Sequence, residues 1–158
     1  MENPATFLTP DAHRRLVAEL EDLKGPKRIE ISERIAEARS HGDIRENADY
    51  QAAKDHQGLM EARIAHLEAV LRDAQVMEVD DTGRVEIGSI VTVEDEEGDL
   101  MEFLLAPAEN RGSAALVVSP TSPLGQAVLA KSPGDLVSYD APGGTFEVKV
   151  TAVRPFAP

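Results

Sequence analysis

The sequence contains no cysteine and no tryptophan, and only 4% of its residues are aromatic. Without cysteine, the chain can form neither disulfides nor thiolate metal sites. With so few aromatic side chains, a core must be built mainly from Leu, Ile and Ala. Such a core suits helices that pack along aliphatic stripes, together with one small sheet. The 158 residues, 42% of them apolar, allow one ordinary domain or two small ones.

Positive charge is also scarce, because 16 Lys and Arg face 29 Asp and Glu, for a net charge of −13. Wrapping a nucleic acid needs a basic face, so the balance argues against direct binding. Local patches could still bind a large nucleic-acid enzyme. No apolar run approaches the roughly 18 residues of a membrane span, and the opening MENPATFLTPDAHRRL lacks an apolar secretory core. We therefore expect a cytoplasmic protein without membrane contact.

The spacing of apolar residues changes near Val79. Before this point the period is helical, and after it short apolar runs alternate with clusters of Gly, Pro and Asp. We predict an α+β protein with a helical hairpin over residues 1–78, a linker over 79–84 and a small β-sheet domain over 85–158.

The first half of the hairpin carries a clear start signal. Thr9 can cap a helix, Pro10 suits its first position and Asp11 suits the positive end of the helix dipole. The apolar stripe consists of Leu16, Leu20, Leu23, Ile31, Ile35 and Ala38. Gly25-Pro26 interrupts this stripe, which predicts a kink or short break, with two separate helices as the alternative.

The second half of the hairpin has a heptad seam, with spacings that alternate between three and four. Its members are Tyr50, Ala53, Gln57, Met60, Ile64, Leu67 and Leu71. Because only a short turn separates the two stripes, the helices should pack antiparallel as a coiled coil. A helix over residues 9–40 would be about 48 Å long, which predicts a projecting arm.

The second half of the chain is typical of a small antiparallel sheet with one short helix packed on it. The helix is predicted over residues 122–131, with Ser122 as its cap and Pro123 in its first turn. The strands are predicted over 85–94, 100–106, 114–119, 136–139 and 145–153.

The turn between the two long helices lies in HGDIRENADY, residues 41–50, where Asp43 and Glu46 stand three apart. This D-x-x-E pattern predicts a capping box in which each side chain accepts from the other residue's amide. The same spacing lets both carboxylates converge on one point. Hard oxygen ligands suit Mg²⁺, which takes one or two carboxylates and completes its shell with water and phosphates. Two carboxylates would form half of a metal site, to be completed by another enzyme.

The segment AEARSHGDIRENADYQAAKDHQG, residues 36–58, resembles the hairpin tip of the Gre (GreA/GreB) transcript-cleavage factors of bacterial RNA polymerase. The opening FLTPDAHRRLVAELEDL and the later IGSIVTV, SPTSPLGQAVLAKSPGD and PGG are also similar to the family, so the resemblance covers essentially the whole chain. It implies an antiparallel coiled-coil hairpin followed by an FKBP-like sheet domain that docks on the polymerase. A shared fold gives no reason to expect prolyl isomerase activity.

The resemblance also implies a function in transcription elongation. The coiled-coil tip would enter the secondary channel of a backtracked polymerase and stimulate the polymerase's own endonucleolytic cleavage of nascent RNA, which rescues arrested complexes. The chain would therefore not be an enzyme itself. Asp43 and Glu46 would assist in trans by sharing Mg²⁺ with the polymerase active site, with no cofactor bound by the chain alone. Expected partners are the channel, its rim and the RNA 3′ end, and a monomer is expected.

Four further residues are assigned to the tip by the resemblance. Asn47 and Tyr50 could orient RNA or polymerase groups, although Tyr50 is equally well explained as the first seam residue. Arg39 and Arg45 could meet RNA phosphate, the alternative being an ordinary solvated helix face.

The loop before the short helix contributes to polymerase docking in the family. This assigns docking to Thr121, Ser122, Pro123 and Leu124, with a simple turn and helix cap as the alternative.

The sequence departs from the family in three places. Its proline stands at Pro26 rather than at the position of Ile29. Residues 107–115 lack the sequence that is usual in the family. An acidic residue that some relatives have at the position of Thr121 is absent. These departures concern docking strength and the angle of the arm.

Three other functions are compatible with parts of the sequence. A channel-binding regulator that inhibits without promoting cleavage would carry an altered tip, so the retained Asp43 and Glu46 argue against it. An autonomous metal nuclease would need more ligands, and His13, His56 and His66 lie at spacings that make no convincing site with the tip. A plain coiled-coil scaffold would use Asp43 only as a cap.

Overall fold

The computed structural model describes residues 6–42, 44–76 and 79–156, without the side chains of residues 41 and 44–47. The chain divides into two compact units. One unit consists of Met1–His13 together with Ala74–Pro158, and the other is Arg14–Asp73. The first contains the β-sheet and the second the helical hairpin, which confirms the α+β class. The linker predicted over residues 79–84 stays a prediction.

The helical part of the chain starts directly after a short strand. Strand β1 (Thr6–Leu8) leads into helix α1 (Pro10–Asp22), which a π-helical segment (Leu23–Lys27) joins to helix α2 (Arg28–His41). Helix α3 (Ile44–Arg72) has 29 residues and therefore extends for about 44 Å. No helix among the described residues combines the length and the apolar character needed to cross a membrane.

The helix continues through Gly25-Pro26 as a π-helical segment, so the predicted short break and the alternative of two separate helices are wrong, while the predicted kink stays a prediction. Pro26 lies inside the π-helical segment. Proline has no N–H to donate, and its ring clashes with a carbonyl of the preceding turn in an α-helix. The wider π turn accommodates that ring and allows regular helix to resume at Arg28.

Burial confirms four of the seven seam residues predicted for α3, whereas Tyr50, Gln57 and Leu71 are only half-buried. Ala53, Met60, Ile64 and Leu67 are at most 6% exposed, and Ile31 of α2 is 4% exposed. The apolar cluster of the hairpin consists of Ile31, Ala53, Met60 and Ile64, with Leu20, Leu23 and Ile35 packed against it. The hairpin is therefore held by aliphatic side chains, as the low aromatic content requires.

Polar contacts across the hairpin confirm that α2 and α3 run antiparallel. The Arg28 guanidinium donates two bonds to the Glu61 carboxylate, at 2.9 and 2.8 Å. Further along, Arg34 Nη1 lies 3.3 Å from His56 Nδ1. The partner's number falls as the number along α2 rises, which is the register of an antiparallel pair.

A second two-bond pair, between Arg63 of α3 and Glu19 of α1, leads to a pH prediction. Nε and Nη2 of Arg63 donate to Glu19 at 2.8 and 2.9 Å. These hydrogen bonds hold the pKa of Glu19 below its ordinary 4.5. The stability that the ionised carboxylate contributes is therefore present above pH 4.5 and is lost as the pH falls through the lowered folded pKa.

We expect Glu19→Gln to lower the free energy of unfolding by about 0.5 kcal/mol near neutral pH, because both partners are partly exposed to water. The difference from wild type should shrink towards zero below pH 4.5. Urea titrations at pH 7 and pH 3.5 measure this, with Glu21→Gln, an exposed carboxylate on the same helix, as the matched control. A difference that is equal at both pH values would contradict the prediction.

The sheet unit contains two sheets. Strand β2 (Ala74–Val76) pairs in parallel with β1. The larger sheet has the order β5-β4-β3-β7-β6. Its strands are β3 (Ser89–Glu94), β4 (Leu100–Leu105), β5 (Val117–Val118), β6 (Leu136–Ala141) and β7 (Gly144–Pro155). Its pairs are antiparallel, as predicted, except that β5 runs parallel to β4.

Several predicted boundaries need correction. The strand predicted over 85–94 begins at Ser89, the one over 114–119 shortens to Val117–Val118, and the helix predicted over 122–131 is α4 (Pro123–Val128). A 3₁₀ turn (Ala108–Asn110) between β4 and β5 was not predicted. Val85 shows why the apolar run gave too early a start for the first predicted strand. It is buried outside any strand, where its N–H donates to the Lys131 carbonyl.

Helix α4 covers one face of the large sheet. Val128 of α4 is fully buried in a cluster with residues such as Val91, Phe103 and Val150. The opposite face carries a smaller cluster around Ile90, Leu104 and Ala106. The loop that precedes α4 is thus attached to a sheet that is packed on both faces.

Candidate functional site

The turn of the hairpin is as short as the sequence predicts. Helix α2 ends at His41, and Gly42 follows with φ 66°, in the left-handed region. Glycine adopts this conformation without the strain that a Cβ would cause, which is why it commonly ends a helix. Helix α3 begins at Ile44, so the chain reverses within two residues.

The two predicted carboxylates belong to this turn. Asp43 lies outside the described residues, and so do the side chains of Arg45, Glu46 and Asn47. By its bounds, α3 has residue 43 directly before it and Glu46 as its third residue. That is the spacing a capping box requires. The capping box and the shared metal site therefore stay predictions.

Arg39 and Tyr50 come together next to the turn, one from each helix. The Arg39 guanidinium carbon lies 5.5 Å from the centroid of the Tyr50 ring, and its Nη2 donates to the Tyr50 hydroxyl at 3.4 Å. A cation over an aromatic face is attracted by the ring's quadrupole. Tyr50 is half-buried while Arg39 is exposed, so the contact places a cation beside the turn, and the predicted seam and tip roles of Tyr50 stay predictions.

The predicted docking loop is held by its own hydrogen bonds. Ser122 caps α4 as expected, because its Oγ accepts from the Gly125 N–H at 3.1 Å. The same hydroxyl donates to the Ser119 carbonyl at 2.6 Å, and the Thr121 N–H donates to Ser119 Oγ at 3.2 Å. Thr121 and Pro123 are exposed, whereas Leu124 packs against the core under α4. Of the four predicted docking residues, Thr121 and Pro123 are thus the ones that the loop exposes.

Gly125 positions this loop, and sequence reasoning missed it. It is buried, and a Cβ at this position would overlap the Ser119 carbonyl and lie 2.9 Å from Pro120 Cα. The available signal was a glycine in the first turn of a short helix, where it would otherwise weaken the helix.

Gly125→Ala should therefore lower the free energy of unfolding by about 2 kcal/mol, because the added methyl group forces the loop away from α4. Gly58→Ala is the matched control. Gly58 lies inside α3 with open space around its missing Cβ, so alanine there should stabilise the helix by about 0.5–1 kcal/mol. Urea denaturation of both variants measures the contrast, and equal effects would contradict it.

A buried polar clamp holds the start of α1 on the sheet unit. Asn110 is fully buried; its Oδ1 accepts from the Thr9 N–H at 2.7 Å, and its Nδ2 donates to the Phe7 carbonyl at 2.8 Å. Thr9 caps α1 as predicted, because its Oγ1 accepts from the Ala12 N–H at 3.0 Å. Asn110 belongs to residues 107–115, where the amino-acid sequence differs from the family pattern. This stretch therefore has a structural role that the sequence did not indicate.

The helices also carry histidines and carboxylates, which are possible metal ligands. Within the part of the chain that the structure describes, no three His, Asp or Glu side chains form a group that could hold a metal ion. His56 instead lies beside Arg34. The described residues thus give no support to the alternative of an autonomous metal nuclease.

Comparison with known proteins places the chain. Residues 6–76 match the family model described as the N-terminal part of a transcription elongation factor, and residues 80–155 match the GreA/GreB C-terminal model. The chain is 42% identical to transcription elongation factor GreA of Saccharopolyspora erythraea, covering 98% of both proteins. It is 41% identical to GreA of Streptomyces avermitilis, covering 96% of this chain and 94% of that protein.

Among solved structures, GreA factor homolog 1 (Gfh1) of Thermus thermophilus is 31% identical, with a TM-score of 0.44 over 95% of this chain and 99% of that one. The two family models together extend along nearly all of the sequence. This chain belongs to the GreA/GreB family of transcription elongation factors.

Proposed function

We propose that this transcription elongation factor binds bacterial RNA polymerase, inserts the hairpin turn into the secondary channel of backtracked complexes and stimulates cleavage of the nascent RNA by the polymerase. Family membership supports elongation as the process. The observation that carries the cleavage proposal is the turn itself, in which two long helices reverse at Gly42 and the sequence supplies Asp43 and Glu46 at the start of α3.

The two carboxylates would act as half of a shared metal site. Asp and Glu oxygens are the ligands that Mg²⁺ prefers, and one or two protein carboxylates with water and phosphate complete its usual shell. Held there together with polymerase ligands, Mg²⁺ would activate water and neutralise charge on the reacting phosphate. The chain itself lends ligands and is not proposed to cleave RNA alone.

Arg39 and Tyr50 would support the tip. The guanidinium lies over the Tyr50 ring, which holds a positive charge on the α2 side of the turn. A guanidinium pairs well with phosphate oxygens, so we propose that Arg39, with Arg45, contacts the RNA backbone. Asn47 is proposed to orient RNA or polymerase groups from the first turn of α3.

Docking is assigned to the loop before α4. Thr121 and Pro123 are exposed there, while Ser122 and Gly125 fix the backbone. We propose that this loop meets the rim of the secondary channel, and that the protein acts as a cytoplasmic monomer.

Release of short RNA from stalled complexes tests the proposal. Purified RNA polymerase is halted and backtracked on a template with 3′-labelled RNA, and label release is followed with and without this protein. We expect release only when the protein, polymerase and Mg²⁺ are all present. Binding without release would favour the inhibitory regulator, and cleavage of RNA by the protein without polymerase would favour the nuclease.

A further inference from the structure

The sheet unit carries an open groove whose lining includes no residue of the docking loop. It has a volume of about 400 Å³ and lies between the turn that joins β3 to β4 and the strands β6 and β7. We call it the acidic groove. Its apolar floor is formed by Val93, Leu100, Met101, Tyr139, Phe146 and Val148, and its rim by Asp95, Glu96, Glu97, Asp99, Thr145 and Glu147.

The floor of the groove extends from buried residues on the core face of the sheet to residues that are exposed to solvent. Val93 and Val148 are 1% and 5% exposed, whereas Phe146 is 43% exposed and Leu100 is 67% exposed. Tyr139 and Phe146 stack across the β6–β7 pair, with ring centroids 5.8 Å apart. Few aromatic residues occur in this chain, and two of them form an accessible platform here. Such an apolar concavity with a polar rim is typical of an interaction site.

The rim makes the groove strongly negative. Four of its carboxylates come from the β3–β4 turn, and among the described residues that line the groove none is basic. The Asp95 carboxylate braces the turn, because its Oδ1 accepts from the N–H groups of Glu97 and Asp99, both at 2.9 Å. The side chains of Glu96 and Glu97 are left on the exposed surface.

We infer that the acidic groove binds a segment of a partner protein in which Lys or Arg residues flank an apolar side chain. The apolar side chain would cover the Tyr139–Phe146 platform, and the flanking cations would meet the rim carboxylates. Charge complementarity selects this occupant, because a phosphate backbone or an anionic membrane would be repelled by the same rim. The aromatic floor supplies the anchoring contact that a purely acidic surface lacks.

This inference is separate from the proposed cleavage function. It uses no residue of the hairpin turn or of the loop before α4. Its test needs the full chain and no polymerase, so that either proposal can fail without the other.

Peptide binding tests the inference. A labelled ten-residue peptide with Lys and Arg around a central Leu-Phe pair is titrated with the full chain, next to one peptide with Glu in place of the cations and one with Ser in place of Leu-Phe. We expect only the first to bind at low salt, with NMR shifts at Met101, Tyr139 and Phe146. Its affinity should fall as salt screens the charges.

Two charge-reversal variants locate the site. Glu96→Lys with Glu97→Lys should weaken binding about tenfold or more, because the charges now repel the peptide. Asp80→Lys with Asp81→Lys makes the same change in net charge at exposed positions outside the groove and should leave the affinity within about twofold. Leu100→Ser, at an exposed floor position, should weaken binding without unfolding the sheet. Equal weakening by both charge variants, or no binding of the first peptide, would overturn the inference.

Discussion

Asp43→Asn should abolish stimulation of RNA cleavage while leaving polymerase binding intact. Asparagine caps a helix about as well as aspartate, so the start of α3 should survive the change. A neutral amide oxygen is a much weaker ligand for Mg²⁺ than a carboxylate. Since metal stabilisation of the transition state amounts to several kcal/mol, its loss should slow cleavage by about 100-fold or more.

The measurement is label release from backtracked polymerase, together with the affinity of each variant for the polymerase. Asp49→Asn is the matched control, since Asp49 is an exposed carboxylate on α3 that has no proposed metal role. Glu46→Gln should behave like Asp43→Asn. If Asp43→Asn cleaves at the wild-type rate, then Asp43 is only a cap and the shared metal site is wrong.

Asn110→Ala should cause the largest loss of stability, about 3 kcal/mol. The side chain is fully buried and bonds the Thr9 N–H and the Phe7 carbonyl. Alanine would remove the partner of the buried Thr9 N–H and of the partly buried Phe7 carbonyl, and an unpaired buried group costs about 1–3 kcal/mol. The N-terminal segment should then detach from the sheet unit more readily.

Hydrogen exchange shows this effect directly. Amides of residues 7–9, 11 and 12 should lose protection in Asn110→Ala, with a smaller change in β7. Gln126→Ala is the control, because it removes an exposed amide that donates to the Thr121 carbonyl at 3.2 Å and should cost less than about 0.5 kcal/mol. Unchanged protection at Thr9 would show that the clamp does not hold this segment.

The hairpin was predictable because its determinants are local. A heptad of apolar side chains places one stripe on a helix whatever surrounds it, and Ala53, Met60 and Ile64 are buried as predicted. The caps at Thr9 and Ser122 depend only on bonds to amides three residues ahead, so they too follow from sequence.

Other features needed the folded chain. The β1–β2 pair joins residues far apart in the sequence, and three-residue strands carry too little pattern to be recognised. Pro26 lies in a π-helical segment that continues the helix, whereas the propensity of proline alone predicts a kink or a break.

By itself, the sequence determined the fold class, the hairpin with its turn at Gly42 and the family, because periodicity, glycine and short motifs act through neighbouring residues. Only the tertiary structure decided that Asn110 clamps Phe7 and Thr9, that Gly125 fixes the docking loop and that Tyr139 and Phe146 floor an acidic groove. Each depends on groups that meet only when distant segments pack, since a buried polar group needs a partner wherever the fold brings one.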